Sequence, residues 1–196
     1  MINKIAPVLA LIVISALAGP ASADTTLKSE DGTVQLTVPN GWREGKPLGP
    51  SVKLQATNTR GALVLVRVVS KEDFKDLKSF ANVGLERVKK NMPDAEPKTE
   101  DIQINSKPAI RIIVEGTQAN GQRRGMLMTF FETDGNFVDV VTMANASVFK
   151  ADQQTLAGLA SQVKILGSSE AAAPAAAPAA PAAAPSGKPP SPRAPR

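Results

Sequence analysis

The sequence has no cysteine and no histidine in 196 residues, and these two gaps remove more chemistry than any motif in it adds. Without cysteine there are no disulfides, no thiolate nucleophiles and no cysteine-ligated metals, so the fold must stand on its buried core. Without histidine the chain lacks the side chain whose ordinary pKa suits proton transfer near neutrality, and the commonest metal ligand. Ser–His and Cys–His catalysis and His-ligated zinc are excluded together. No glycine-rich spacing lies between a strand and a helix so as to cradle phosphate. The adjacent acids Glu72–Asp73 read as a helix cap, and Glu100–Asp101 opens a strand. Neither enzymatic activity nor a cofactor is expected.

Charge is also scarce where it would matter. Of the formal net charge of +5, Lys4 supplies +1 and residues 167–196 supply +2 (Glu170 against Lys188, Arg193 and Arg196), leaving +2 for residues 24–166. A nearly balanced central segment offers no electrostatic footprint for nucleic acid.

The two ends are compositionally distinct. Lys4, the apolar run Val8–Leu17 and the small residues Ala21-Ser22-Ala23 form the three parts of a secretory signal peptide, residues 1–23. The apolar run is shorter than the roughly 20 residues a membrane anchor needs. With no cysteine at the cleavage point to accept lipid, a soluble periplasmic or secreted product with no transmembrane segment is expected. Intact-mass spectrometry of periplasmic extract should find a species beginning at Asp24. A membrane-bound species retaining Met1–Ala23 would overturn export by cleavage.

Residues 167–196 are an Ala/Pro-rich tail, with EAAAPAAAPAAPAAAP over 170–185. Prolines every few residues prevent a continuous helix. No apolar side chain here is larger than alanine or proline, so burial cannot offset an ordering entropy of about 1–2 kcal/mol per residue. The tail is expected to be disordered and dispensable for folding. A chain ending at Leu166 should melt within about 1 °C of the longer protein; a drop of several degrees would show that the tail packs on the domain.

Residues 24–166 read as one domain. Thr33–Val38 and Ser51–Thr57 alternate apolar and polar residues, as strands with one buried face do. Leu63–Val69 is apolar on both sides apart from Arg67 and reads as an interior strand. Ser70 with Asp73 matches a capping box, and Phe74, Leu77, Ala81, Leu85, Val88 and Met92 recur at helical spacing up to Pro93. Strands follow at Asp101–Asn105, Ala109–Glu115, Met126–Glu132 and Phe137–Ala144, with turns at Asn120-Gly121 and Asp134-Gly135. A closing helix is predicted over about Phe149–Leu166. The fold class is α+β: a single antiparallel β-sheet flanked by helices, an α/β/α sandwich.

This order of elements, with LTVPNGW at Leu36–Trp42, resembles the PsbP-like and DcrB-like family of small secreted or lumenal domains. The matching pieces are Thr33–Trp42, Ala62–Met92, Ile102–Ala144 and Phe149–Leu166, most of the central domain. The resemblance implies an accessory or binding module rather than an enzyme. Many bacterial members are lipoproteins, from which this chain departs by lacking the lipid-accepting cysteine. The metal-linked role of the photosynthetic branch does not carry over, because no matching ligands are present.

Few residues stand out as candidate sites. Trp42, the only tryptophan, could be a binding platform, but it is expected to plug the sheet edge, since tryptophan is buried on average. Arg67, Arg111 and Asp139 interrupt three apolar strands. On a common face they would form a ligand-binding site for a small anion or carboxylate; otherwise they are a structural ion pair, or arginines whose stems lie along the sheet. Gln122-Arg123-Arg124-Gly125, beside a turn, could meet anionic lipid or glycan and is expected to be merely solvated. Two functions follow. The first is a non-catalytic periplasmic module for an envelope protein partner or small ligand. The second is a structural envelope protein whose basic, proline-rich tail contacts cell wall or membrane.

Overall fold

The computed structural model describes residues 24–166, and the signal peptide and tail expected at 1–23 and 167–196 lie outside them. Ten strands and two helices follow in the order β1 (Thr25–Lys28), β2 (Val34–Val38), β3 (Trp42–Gly45), β4 (Val52–Asn58), β5 (Leu63–Ser70), α1 (Leu77–Asn91), β6 (Lys98–Ile104), β7 (Lys107–Thr117), β8 (Arg123–Glu132), β9 (Asn136–Asn145), α2 (Ala146–Gly158) and β10 (Val163–Ile165).

The expectation of one sheet is overturned. Two antiparallel sheets form: a seven-stranded sheet in the order β3-β4-β5-β9-β8-β7-β6 and a three-stranded sheet in the order β1-β2-β10. The small sheet has two sources: β1 pairs with β2 apart from the large sheet, and the end of the domain adds the third strand. Instead of one helix to Leu166, α2 stops at Gly158, a 3-10 turn spans Leu159–Gln162, and the chain then extends as β10. Val163 pairs with Leu36 and Ile165 with Val34, and the Leu166 N–H donates to the Thr33 carbonyl at 2.8 Å. The spacing of Leu156, Leu159, Val163 and Leu166 suits a helical stripe, but Val163 and Ile165 gain more by completing the second sheet. β-branched residues fit a pleated, half-buried surface well.

The start of α1 shifts for a comparable reason. Ser70 caps only a 3-10 turn over Lys71–Asp73. The helix opens later, where Asp76 accepts from the Ser79 N–H at 2.7 Å and the Ser79 hydroxyl bonds back at the Asp76 N–H. That reciprocal cap satisfies two end donors that the helix itself leaves unpaired.

Two cores lie on opposite faces of the large sheet. On one face α1 sets Phe80, Val88 and Met92 against Ile112, Met128 and Phe130. Phe80 stacks on Phe137 with ring centroids 5.6 Å apart and meets Phe130 edge-on at 5.4 Å. A Cβ on Gly84 would stand 2.5 Å from the Phe130 ring, so α1 can lie this close to β8 only with glycine there. On the other face α2 and the small sheet pack together, with Phe149, Leu156, Leu36 and Val38 against Leu54, Val64, Leu127 and Val140. Gly125 admits Phe149 directly onto the β8 backbone in the same way. Fully burying each such side chain is worth about 1.5–3 kcal/mol. β8 and β9, covered on both sides, are buried almost continuously. β5 is central in the sheet yet only half covered: Val64 and Val66 are buried, while Leu63, Leu65 and Val69 stay partly exposed.

Candidate functional site

The three strand-interrupting residues do not share a face. Arg67 and Asp139 are direct cross-strand partners on β5 and β9, on the side that α1 covers, and they form an ion pair. Asp139 is completely buried. Burial raises its carboxyl pKa, while the attraction of Arg67 and, more remotely, Arg87 pulls the other way; the net direction is up. Arg111 of β7 points to the opposite side. Its guanidinium donates to the Ala157 carbonyl of α2 at 3.3 Å and borders a shallow hollow with Lys150, Gln153 and Gln154. The strand period explains the split: cross-strand register puts Ile110 and Ile112 on the α1 face with Asp139, so Arg111 between them must face away. Sequence alternation shows which strands carry charge, but the pairing that assigns faces across strands is tertiary.

A larger concavity than the hollow beside Arg111 lies elsewhere, where the two sheets part. A cleft of about 950 Å³ has Val34, Val68, Ile104, Phe131, Val163 and Ile165 among its lining. Its rim carries three lysines and two acids, Glu132 and Asp134. Lys53 is held by Asp31 at 2.8 Å, Lys107 reaches the fully exposed Asp134 at 3.6 Å, and Lys164 has no ion-pair partner among the described residues. An apolar floor with a few polar groups around its mouth is the general form of a small-molecule site.

The walls of this cleft are braced. Burial alone would raise the Asp31 carboxyl, but hydrogen bonds from Lys53, the Thr33 hydroxyl, the Ser29 hydroxyl and the Thr33 N–H together hold it well below the usual carboxylate range. The β1–β2 turn is thereby tied to β4. On the opposite rim, Asn105 and Ser106 form the β6–β7 turn with φ of 50° and 65°. Two successive left-handed residues make the turn type that matches strand twist, although serine there, in place of glycine, costs about 1 kcal/mol. Asn105 also reaches the Ser161 carbonyl at 3.5 Å, which joins this turn to the segment leading into β10. None of these cleft residues stands out in the sequence, because the two strands that frame it, β2 and β10, are more than 120 residues apart.

No group of three or more acidic side chains that could hold a metal ion exists among the described residues, and none of their helices is long and apolar enough to cross a membrane.

The architecture defines an α+β domain in which a large antiparallel sheet carries a helix on one face and a helix with a small sheet on the other. Its fold is PsbP-like. The cyanobacterial PsbP protein, CyanoP, of Synechocystis sp. PCC 6803 superposes with a TM-score of 0.57 at 15% identity, over 76% of this chain and 95% of that one. LpqN of Mycobacterium tuberculosis, described as involved in cell envelope biogenesis, superposes with a TM-score of 0.49 at 12% identity, over 74% and 91% of the two chains. No protein-family model and no curated protein matches the sequence.

Proposed function

We propose that this protein is an exported, non-catalytic accessory module that binds an envelope protein or small ligand in the cleft between its two sheets. The cleft carries this reading: it is about 950 Å³ in volume, with apolar side chains in its floor and Lys107 and Lys164 at its rim. The signal-peptide pattern of residues 1–23 supports action in the periplasm or outside the cell. The lack of cysteine and histidine across the chain favours binding over catalysis. Burial in the floor supplies affinity and the lysines supply orientation, which suits a ligand with an apolar body and a negative end.

Lys107 and Lys164 are both exposed, so reversing them should leave the fold intact. The doubly substituted protein, Lys107→Glu with Lys164→Glu, is expected to bind a ligand or partner recovered from envelope extract at least about tenfold more weakly. A chain ending at Leu166 should bind it normally. The opposite pattern, with binding lost on removal of 167–196 and kept in the lysine variant, would establish the alternative: a structural envelope protein whose tail, with Lys188, Arg193 and Arg196 against Glu170, contacts wall or membrane.

A further inference from the structure

The two faces of the large sheet are covered unequally. On one face α2 and the small sheet form a core that runs from Leu54 of β4 to Ile104 of β6. On the other, α1 packs on β7 and β8, with Gly84 over Phe130 and Met92 beside Gly116, reaches β9 where Phe80 stacks on Phe137, and has Leu65 and Val69 of β5 at its margin. Seven strands about 4.8 Å apart make a sheet about 29 Å wide, whereas a helix with its side chains is about 10–12 Å across. A strip wide enough for a second helix therefore remains beside α1, over β3, β4 and β5.

Register and alternation place the side chains of that strip. Leu63 stands between Thr57 and Met143, and Leu65 between Gln55 and Val141; Met143 in turn pairs with Met126. Leu63, Leu65, Met126 and Met143 are half-buried. Arginines surround this apolar floor. Arg43 lies opposite Thr57 on the edge strand, Arg67 continues the β5 row, and Arg124 continues the row of Met126 on β8. Arg87 of α1 lies close enough to this side for its charge to act on Asp139. Four of the seven arginines among the described residues thus gather here, while the lysines Lys53, Lys107 and Lys164 gather at the cleft. The acid within the floor, Asp139, is buried and already engaged by Arg67.

A second observation converges on the same face. Six buried side-chain polar atoms among the described residues have no hydrogen-bond partner, and four of them are here: Gln55 Oε1, Arg67 Nε, Arg124 Nε and Asp139 Oδ1. Buried polar groups in native proteins are normally satisfied, and two of these four, the Nε–H groups of Arg67 and Arg124, are donors of the kind a carboxylate accepts from. Arginine rather than lysine also matters, because the planar guanidinium matches a carboxylate with two parallel hydrogen bonds.

We propose that the strip over β3–β5 beside α1 docks an acidic amphipathic helix of a partner protein. Its apolar stripe lies on Leu63, Leu65 and Met143, and its carboxylates take the guanidinium groups of Arg43, Arg87 and Arg124. The docked helix completes the layer that α1 begins, at the usual helix spacing of about 8–10 Å, in the helix-in-groove mode of recognition. The strip and the cleft lie on opposite faces of the sheet, so this inference and the cleft reading stand or fall separately.

The test is an amide NMR titration of the isotopically labelled full chain. The probe is a synthetic peptide of about 20 residues, roughly 30 Å as a helix, with leucines on one stripe and glutamates elsewhere. A matching peptide with lysine for glutamate and vesicles of phosphatidylglycerol with phosphatidylcholine serve as the comparisons. The expected result is saturable shifts at Gln55, Thr57, Leu65 and Val141 with the acidic peptide, weakened by added salt, and none with the lysine peptide. Arg43→Glu with Arg87→Glu, both at exposed positions, should weaken binding at least about tenfold while the melting temperature stays the same. Binding of the acidic peptide that is absent, maps elsewhere or survives both reversals overturns the proposal. Shifts at these amides with the vesicles but not with the peptide overturn it in favour of a lipid surface.

Discussion

Trp42→Ala is expected to destabilise the protein by about 3–5 kcal/mol, the usual cost of removing a buried tryptophan. Trp42 is 7% exposed and belongs to the core shared by the two sheets, although it opens β3, an edge strand. Edge position and burial are compatible because Trp42 pairs with Asn58, whose side chain accepts from the Arg60 and Ala62 N–H groups at 2.9 and 2.8 Å. The indole therefore covers the end of the core where the β4–β5 turn is built. With a urea slope of about 2 kcal/mol/M, the midpoint should fall by about 2 M. An unchanged midpoint combined with loss of ligand would make Trp42 a binding residue instead.

Arg67→Ala should cost a similar amount, about 3–5 kcal/mol, because it strands a fully buried carboxylate. The pH dependence separates this cause from lost packing. The Asp139 carboxyl is already raised by burial, and without Arg67 it should rise further. A carboxyl whose folded pKa exceeds its unfolded value binds more protons in the native state throughout the window between them, so stability increases as pH falls through that window. The deficit of Arg67→Ala should accordingly shrink as the pH falls from neutrality toward the ordinary carboxylate range. Arg67→Leu combined with Asp139→Val should recover most of the loss, since apolar replacement of a buried pair is often neutral or better. A deficit independent of pH and not recovered in the double variant would mean that the arginine stem, not the charge, matters.

Much of this fold is legible along the chain. The alternation of Val34, Leu36 and Val38, the continuous apolar runs of β8 and β9 and the α1 stripe each report a period, and a period depends on local geometry alone. Boundaries were less legible: Ser70 and Asp76 are both able to cap, and only the packing of Phe80 and Gly84 on Phe130 and Phe137 selects the later start. The closing segment misleads outright, because Val163 and Ile165 suit either a helix or a strand until β2 is present to pair with them.

Site formation follows the same division. Composition by itself removed cysteine and histidine chemistry, set the near-neutral charge of residues 24–166 and marked Arg67, Arg111 and Asp139 as unusual. It could not say that Arg67 meets Asp139 while Arg111 faces α2, because strand period tells which residues share a side of one strand but not how strands are registered against each other. Nor could it show the cleft or the arginine-edged strip. Both arise where layers end, and the extent of a layer is decided only when β10 closes the small sheet on one face and α1, alone, covers β7 and β8 on the other.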